Sequence, residues 1–409
     1  MAFFTANVDA ALNQKREENY EQDVFSGCPL LGLVEHKVEG GDAIKVTFKT
    51  GFSPGAGARY ADVVAQQGES QRTSMLVTPT VLYASEDVDN PSAVLSERGE
   101  DAVIPILSDA QSSAMSSVAL QLDQALFSDG YGSLFISKSH TGTTGAGSTI
   151  TATIPSQIFK VQPNQLLVSK ATPAAGALDT GSYLVTGIDE INGILTVTPQ
   201  GGASVAVDGH VFGLYATMAA STAPVTYVGL TNWLTNDPTL LAASLYGAVR
   251  TGGGVHLAGH VLDGTKLNIV DAVNIGETSA ANIMGAKPDL VLLSSANYNK
   301  LRTQLADRAF NVNSKGDGIN INYSGFSFMG NRSLMTVHMA PNCSSGDVFV
   351  LDSRTWHLAA SGKELVTPNT LHGGWVDLPD ADKTRVSMRA LGSFYTHFPG
   401  ANARVLVKP

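Results

Sequence analysis

The stretch KPDLVLLSSANYNKLRTQL, residues 287–305, decides the class of fold. Residues 289–293 form a short apolar run of the kind found in a buried strand. Ser294 and Ser295 follow as helix-capping residues. The residues that then recur at helical spacing are Tyr298, Leu301 and Leu305. A buried strand that leads directly into a helix indicates mixed α and β structure.

The segments on either side continue this mixed pattern. Asp237 followed by Pro238 is a typical helix start, and Leu241, Leu245 and Val249 then predict one apolar face, ending at Gly252–Gly254. A second helix is predicted over roughly 265–284. Strands are predicted at 319–329, 333–338, 347–351, 384–395 and 404–407.

Nearer the amino terminus, a polar segment (1–27) precedes two predicted strands with a long connection. Residues 43–49 alternate apolar and polar side chains, as a half-exposed strand does, and 75–83 is the second strand. Residues 51–71 between them begin with several glycines and are too long for a tight turn. We therefore expect a long hairpin with a protruding, mobile tip whose packing partner is another subunit.

A core helix is predicted after the hairpin, with Pro105 near its start. Its end is predicted at 127–130, where Gly130 can adopt the left-handed conformation that closes a helix. The apolar face consists of Ala114, Val118, Leu122 and Ala125, with Met115 and Leu126 beside it.

Residues 140 to about 216 are predicted to form a separate β-rich unit, opened by a linker, HTGTTGAGST. Short strands are expected at 149–154, 165–169, 183–188, 194–198 and 211–214. Asn192-Gly193 between two of them is a strong hairpin signal. Regular short strands of this kind favour a small barrel or sandwich.

Composition limits the function. Charged residues make up 15% of the chain, against about 25% in typical proteins, and subunit interfaces are depleted in charge at their centres. The net charge is −10, and the 26 Lys and Arg residues are scattered along the sequence, which argues against nucleic-acid binding as the main function. Cys28 and Cys343 lie far apart without metal-ligand spacing, which suits a reducing cytoplasm. Neither a signal peptide nor a membrane-length apolar run is recognisable.

The order of these elements resembles the Hong Kong 97-type major capsid protein of tailed bacteriophages. The residues that carry the resemblance are ALFSDGYGS (125–133), KPDLVLLSSANYNKLRTQL (287–305) and FMGNRSLMTVHMAPNCSSGDVFVLDSRTWHLAASGKE (328–364). Together with the hairpin and helix, the resemblance covers most of 35–139 and 225–409. Its specificity comes from order and spacing, and the 140–216 segment lies outside the basic family pattern.

The resemblance implies an α+β fold of the Hong Kong 97 type with an inserted small β-barrel-like domain. The implied parts are an N-terminal arm (1–36), an extended hairpin (37–84), a spine helix with the first part of a peripheral domain (85–139), the insertion (140–216), a continuation of the peripheral domain (217–235), an axial domain (236–383) and C-terminal strands of the peripheral domain (384–409).

The resemblance also implies function and partners. The chain would be a structural subunit and not an enzyme, assembling with itself into hexamers and pentamers that enclose double-stranded DNA without sequence-specific binding. Portal, scaffolding and decoration proteins would be further partners, and no cofactor or membrane would be involved. The protein would be assembled in the bacterial host cytoplasm and located in the virion capsid. The long charged scaffolding segment that some relatives carry is not found in this sequence.

Three residues at the hairpin tip are candidate inter-subunit contacts: Phe52, Arg59 and Tyr60. An arginine between aromatic side chains is typical of interface hot spots. Some relatives cross-link a hairpin lysine to an asparagine of a neighbour, and the residues available here for that reaction would be Lys45 or Lys49 with Asn402.

Other motifs resemble catalytic or metal sites only superficially. Gly51–Gly55 matches G-x-S-x-G, but Pro54 lacks the N–H that an oxyanion hole needs. Residues 142–149 resemble a phosphate loop without its lysine. His256 and His260 have the spacing of a zinc helix but lack its glutamate. No catalytic, cofactor or metal residue is therefore predicted.

Two alternative functions remain open. One is an encapsulin-like compartment of the same fold, which would contain an enzyme in place of nucleic acid. The other is a carbohydrate-active or adhesive β-protein, which would be expected to carry a secretion signal.

Overall fold

The computed structural model describes residues 29–38, 41–51, 55, 57–65, 68–90, 106–141, 148–174, 177–201, 208–218, 223–283, 285–306, 325–330, 333–360, 366–368, 375–378 and 382–409. Several predictions fall outside these ranges: the segment 1–28 with Cys28, the tip residue Phe52, the serine of G-x-S-x-G, most of the phosphate-loop-like segment, and the strand start at 319–324.

The described helices alternate with strands along the chain. The α-helices are α1 (Pro29–Leu33), α2 (Tyr60–Ala65), α3 (Ile106–Leu126), α4 (Leu230–Trp233), α5 (Pro238–Ala242), α6 (Val255–Ala258), α7 (Ile269–Ala281) and α8 (Ser295–Ala306). Short 3-10 helices cover Pro155–Lys160, Ser353–Thr355 and Pro399–Ala401. None of the described helices is long and apolar enough to cross a membrane.

The described strands are β1 (Glu35–Val38), β2 (Ile44–Lys49), β3 (Arg72–Val77), β4 (Thr80–Asp89), β5 (Ser133–Thr141), β6 (Ser148–Ala152), β7 (Leu166–Lys170), β8 (Ser182–Asp189), β9 (Ile194–Gln200), β10 (Val211–Leu214), β11 (His260–Asp263), β12 (Leu290–Leu293), β13 (Gly325–Met329), β14 (Leu334–Met339), β15 (Asp347–Leu351), β16 (Trp356–Ala360), β17 (Val366–Pro368), β18 (Trp375–Leu378), β19 (Lys383–Thr396) and β20 (Ala403–Leu406). The mixed α+β class predicted from the sequence is confirmed.

The chain divides into two compact units, each built from separate stretches. The first comprises the described residues within 1–42, 79–124 and 358–393, and the second those within 43–78, 125–357 and 394–409.

The sheet of the first unit is organised around the long strand β19. Its strand order is β1-β16-β19-β17, with β4 and β18 also paired to β19. β4 runs antiparallel to β19, from Thr80 opposite Gly392 to Asp89 opposite Lys383. Oppositely charged cross-strand pairs favour this register, and they include Lys383 Nζ at 3.4 Å from Asp89 Oδ1.

The hairpin prediction needs a correction at its second strand. The predicted strand 75–83 is divided by Pro79 into the end of β3 and the start of β4. Because proline has no N–H, it interrupts a ladder of backbone hydrogen bonds. β3 pairs with β2 in a two-stranded sheet, whereas β4 pairs with β19.

The helix α3 matches its predicted face. Ala114, Val118, Leu122 and Ala125 are all buried. The helix ends at Leu126, and Gly130 has φ +84°. A Cβ atom at Gly229 would overlap the carbonyl oxygens of Ala125 and Leu126, so glycine lets the chain pass close to the end of the helix.

The β-rich insertion is a closed barrel with strand order β10-β5-β6-β9-β8-β7. Its core contains Phe135 and Phe212, whose rings stack with centroids 5.1 Å apart. The hairpin predicted at Asn192-Gly193 joins β8 to β9, with Gly193 at φ +70°.

The barrel starts earlier than the predicted boundary at residue 140. Its first strand, β5, begins at Ser133, so the predicted linker HTGTTGAGST (140–149) starts within the last residues of β5 and ends within β6. Ser133 pairs with Gly213 of the last strand, β10. The two ends of the barrel therefore meet as neighbouring strands.

The second unit also contains a six-stranded sheet, in the order β11-β20-β15-β12-β14-β13. Its apolar residues and those of α7 form one buried cluster, which includes Val273, Val291, Val350 and Val405. β12 is completely buried and leads into α8, as predicted for 289–305.

Two predictions about this part of the chain are wrong. The helix at Asp237-Pro238 starts as expected, with Asp237 Oδ1 accepting a hydrogen bond from Thr239 N (2.8 Å), but it ends at Ala242 because the chain turns at Tyr246, φ +50°. The expectation that the C-terminal strand β20 joins β19 in the peripheral domain is also wrong. β20 lies between β11 and β15, and its short alternating pattern, which fits either sheet, does not specify the neighbouring strand.

Candidate inter-subunit surface

The hairpin formed by β2 and β3 has two different faces. The strands are antiparallel, with Ile44 opposite Val77 and Lys49 opposite Arg72. Successive side chains of a strand point to opposite faces, so alternate residues are buried. The buried residues are Val46, Phe48, Met75 and Val77.

The inner face of the hairpin packs within the second unit. The Phe48 ring lies 6.3 Å from the ring of Trp233, which is itself buried. Leu76 N also donates a hydrogen bond to Tyr246 O (3.0 Å). The expectation that the hairpin has only another subunit to pack against is therefore wrong for its strands.

The outer face is basic. Lys45, Lys49 and Arg72 are exposed on it, and Lys49 lies directly opposite Arg72. Like charges opposite each other destabilise a strand pair. Within the described residues, no carboxylate forms an ion pair with Lys45 or Arg72. Leu76 adds an apolar side chain to this face and is 54% exposed.

The tip contains a short helix where the sequence predicted an irregular, mobile loop. α2 begins at Tyr60, and Val63 N donates to Arg59 O (3.1 Å). Arg59 is exposed, and Tyr60 is 84% exposed. The third predicted contact, Phe52, lies outside the described residues.

Two exposed apolar residues of the hairpin, Val64 and Leu76, were not among the contacts predicted from the sequence. Val64 follows Tyr60 by four residues, so both lie on one side of α2. The spacing in YADVVA carried this signal, but the preceding glycines favoured a loop. We term the exposed residues of this hairpin the hairpin surface; they are Lys45, Lys49, Arg59, Tyr60, Val64, Arg72 and Leu76.

The predicted cross-link to Asn402 is contradicted by its surroundings. Asn402 is 0% exposed. Its Oδ1 accepts hydrogen bonds from Trp356 Nε1 and Asp352 N, both at 2.9 Å, and its Nδ2 donates to Thr355 Oγ1 and Phe398 O. An amide with both ends bonded in the interior cannot meet a lysine of a neighbour, so its role is structural.

The histidines that resembled a zinc motif do not share a helix. His256 lies in the four-residue helix α6, and His260 starts β11 after Gly259, φ +66°. Burial lowers the pKa of His260. Within the described ranges, no group of three or more His, Cys, Asp or Glu side chains could hold a metal ion.

Comparisons with known proteins give similar solved structures but no related sequence family. No family model and no curated protein matches the chain. In structure, the chain is similar to the capsid asymmetric unit of cyanophage A-1(L), with 12% identity, 92% of each chain covered and a TM-score of 0.48. It is also similar to a chain of Mycobacterium phage Cain, with 12% identity, coverage of 93% of this chain and 90% of the other, and a TM-score of 0.44.

A further similar structure is the holo-SrpI encapsulin complex of Synechococcus elongatus PCC 7942. The identity is 6%, the coverage is 92% of this chain and 86% of the other, and the TM-score is 0.43. The similarity to phage capsid structures that the sequence indicated is confirmed. Because every TM-score here is below 0.5, a function for this chain has to rest on its own residues.

Proposed function

We propose that the chain is the major capsid protein of a tailed bacteriophage, a structural subunit that assembles into an icosahedral shell around double-stranded DNA. The observation that carries the proposal is the order of elements. Along the chain, the order is a hairpin (β2 and β3), a 21-residue helix (α3), an inserted barrel and the strands of a six-stranded mixed sheet. Near the end of the chain, β19 pairs with β4.

This order supports assigning Hong Kong 97-type parts to the described elements. The hairpin of β2, α2 and β3 is the extended loop, and α3 is the spine helix. The sheet around β19 belongs to the peripheral domain and the β11–β15 and β20 sheet to the axial domain. The barrel is an addition to this pattern, and we place it on the outer surface.

The hairpin surface supports assembly through its chemistry. Exposed Tyr60, Val64 and Leu76 are the apolar anchors of an interface. Exposed cations surround these residues, in a protein with a net charge of −10. An acidic surface of a second copy would be attracted to these exposed cations and would fix the orientation of the two copies.

The remaining partners follow from this function. Hexamers and pentamers of the chain form the shell, and portal and scaffolding proteins take part in assembly, with a decoration protein as an added partner. The chain is assembled in the host cytoplasm and located in the virion. Catalysis has no part in this role.

Assembly is tested by expressing the chain with its scaffolding protein and examining the product by sizing and negative-stain electron microscopy. We expect closed megadalton particles for the natural chain. Arg59→Glu reverses a charge at the hairpin tip, so this variant should yield folded subunits and few shells. A stable 42.8 kDa monomer under every condition would contradict the proposal.

The contents of purified particles separate a virus from a compartment of the same fold. Double-stranded DNA in particles from infected cells supports the capsid function. A packaged enzyme without nucleic acid would instead favour an encapsulin-like compartment.

A further inference from the structure

Three lysines that are distant in sequence surround one cavity of the second unit. Lys266, Lys300 and Lys408 line a cavity of about 230 Å³. All three are exposed. The other lining residues are Thr265, Leu267, Asn268, Ile269, Gln304, Val407 and Pro409. This described lining contains no Asp or Glu side chain, although the protein has 36 acidic and 26 basic residues.

Backbone contacts bring Lys266 close to Lys408. Gly264 N donates a hydrogen bond to Leu406 O (2.7 Å), and Leu267 N donates to Gly264 O (2.9 Å). A Cβ atom at Gly264 would lie 2.7 Å from Val405 Cγ1, so only glycine permits this close approach. The turn that carries Lys266 is thereby fixed against the end of β20.

The third lysine is positioned by the contact between two helices. Lys300 lies on α8, one turn before Gln304. Gln304 Oε1 accepts a hydrogen bond from Val270 N in the first turn of α7 (3.4 Å). α7 therefore starts at the cavity, and Asp271 in its first turn offsets the partial positive charge of the helix amino terminus, so the lysines supply the positive charge of the site.

None of the three ammonium groups forms a direct ion pair in the described part of the chain. No carboxylate there lies within 4.0 Å of any of them. The neighbouring Asp263 accepts hydrogen bonds from Thr265 N (3.0 Å) and Thr265 Oγ1 (2.7 Å), which lower the pKa of its carboxyl, and the nearby charge of Lys266 lowers that pKa further. Three cations that line one cavity without a direct ion pair make this cavity suited to an anion of several charges.

We infer that this cavity, the lysine cluster, binds phosphate groups of the nucleic-acid backbone. Lysine recognises phosphate as a point charge, without reading base sequence. The choice of nucleic acid as the source of phosphate rests on the proposed function, in which the chain encloses DNA. The lysine cluster then marks the surface that faces the genome.

DNA binding by purified full-length subunits tests the inference, with two short duplexes of unrelated sequence over a range of salt concentrations. The test variant is Lys266→Gln/Lys300→Gln/Lys408→Gln. The control, Lys138→Gln/Lys287→Gln/Arg302→Gln, removes the same charge from exposed residues elsewhere. The test variant should bind both duplexes at least about tenfold more weakly at low salt, and its log–log salt slope should fall by about 2 to 3.

Several results would overturn the inference. If DNA binding is weakened equally in the test and control variants, the net charge of the subunit, and not the lysine cluster, determines DNA binding. Binding of one duplex alone would mean that bases are read. A second titration with inorganic phosphate follows the backbone amides of 268–271 by NMR. Saturation by phosphate without any DNA binding would assign the cavity to free phosphate instead.

Shell assembly is scored separately in the same variants. Weak DNA binding by the test variant together with normal shells supports both the inference and the proposed function. If no chain forms shells, the proposed function fails, but the difference in DNA binding between test and control still decides the inference.

Discussion

Arg250 is a buried cation that is held by neutral groups. It is 1% exposed, and within the described residues no carboxylate pairs with it. Its Nη1 donates to Asn232 O (2.6 Å) and its Nη2 to Asn232 Oδ1 (2.6 Å) and Leu240 O (3.1 Å). Asn232 Nδ2 donates in turn to Asp129 O (2.6 Å), just beyond α3. Burial lowers the pKa of Arg250 to about 10, so it is charged at neutral pH.

Replacing Arg250 should therefore destabilise the subunit strongly. Arg250→Met keeps the bulk of the side chain but leaves three buried acceptors without a donor, which we expect to cost about 2–4 kcal/mol. Arg302→Met, at an exposed position of α8, should change stability by less than about 0.5 kcal/mol. Denaturant unfolding of unassembled subunits measures both, and equal midpoints would show that the Arg250 hydrogen bonds are dispensable.

Asp87 and Arg385 form a surface ion pair whose contribution to the stability of the folded subunit depends on pH. Arg385 Nη2 donates to Asp87 Oδ2 (2.9 Å), and this hydrogen bond lowers the pKa of the Asp87 carboxyl below its usual value of 3.8. The Asp87 carboxyl therefore binds its proton less tightly in the folded state than in the unfolded state. The contribution to stability is therefore present above pH 3.8 and is lost as pH falls through the lowered pKa.

NMR titration of the Asp87 carboxyl checks this shift. We expect a midpoint below 3.8 in the natural chain and a return toward the usual value in Arg385→Gln, because the guanidinium is its main cause. An unchanged Asp87 midpoint in the variant would contradict the assignment.

At the scale of the element, the hairpin has a buried inner face and an exposed outer face, and only the outer face belongs to the proposed interface. Phe48 on the inner face contacts Trp233, whereas Leu76 on the outer face is half-exposed. Because adjacent strand residues face opposite ways, neighbouring positions of one hairpin serve different purposes.

Matched alanine substitutions should separate the two faces. Phe48→Ala removes a buried ring and should lower the free energy of unfolding of the subunit by about 3–5 kcal/mol. Leu76→Ala should leave that free energy within about 0.5 kcal/mol of the natural value and reduce shell yield. Unfolding curves and particle yield are measured for both. Normal shell yield with Leu76→Ala would remove this residue from the proposed interface.

At the scale of the whole molecule, the two ends of the barrel, where the chain enters and leaves it, lie close together. Its first and last strands pair with each other through Ser133 and Gly213. A domain whose ends lie together can be added to a host without separating the host segments on either side. The barrel also has its own apolar core, which supports its folding as an independent domain.

Two fragments test this independence and the boundary of the barrel. Residues 132–217 contain all six strands, and we expect dispersed, protected amide signals from this fragment. Residues 140–216 lack most of β5, which would leave β6 and β10 unpaired along one edge, so this fragment should unfold or aggregate. Failure of the longer fragment to fold would mean that the barrel depends on the rest of its unit.

The sequence by itself determined the elements whose signals are local. The alternation in 44–49, the apolar face of α3, the Asn192-Gly193 turn and the buried run of β12 all follow from neighbours along the chain, and so does the mixed class of fold. Arg59 and Tyr60 are exposed, as candidate contacts need to be, and their contact with a neighbouring subunit stays a prediction. These features depend on helical or strand periodicity and on backbone conformation, which a few residues decide together.

Only the tertiary structure decided which distant segments meet. β20 and β19 have similar alternating patterns but join different sheets, and β5 belongs to the barrel although it follows α3 directly. Asn402 is enclosed by residues from 352 to 398, and Lys266, Lys300 and Lys408 meet at one cavity. A strand pattern specifies a buried face but not the strand beside it, and charges scattered along a sequence can be adjacent in space. Pairing between distant segments depends on the packing of the complete core.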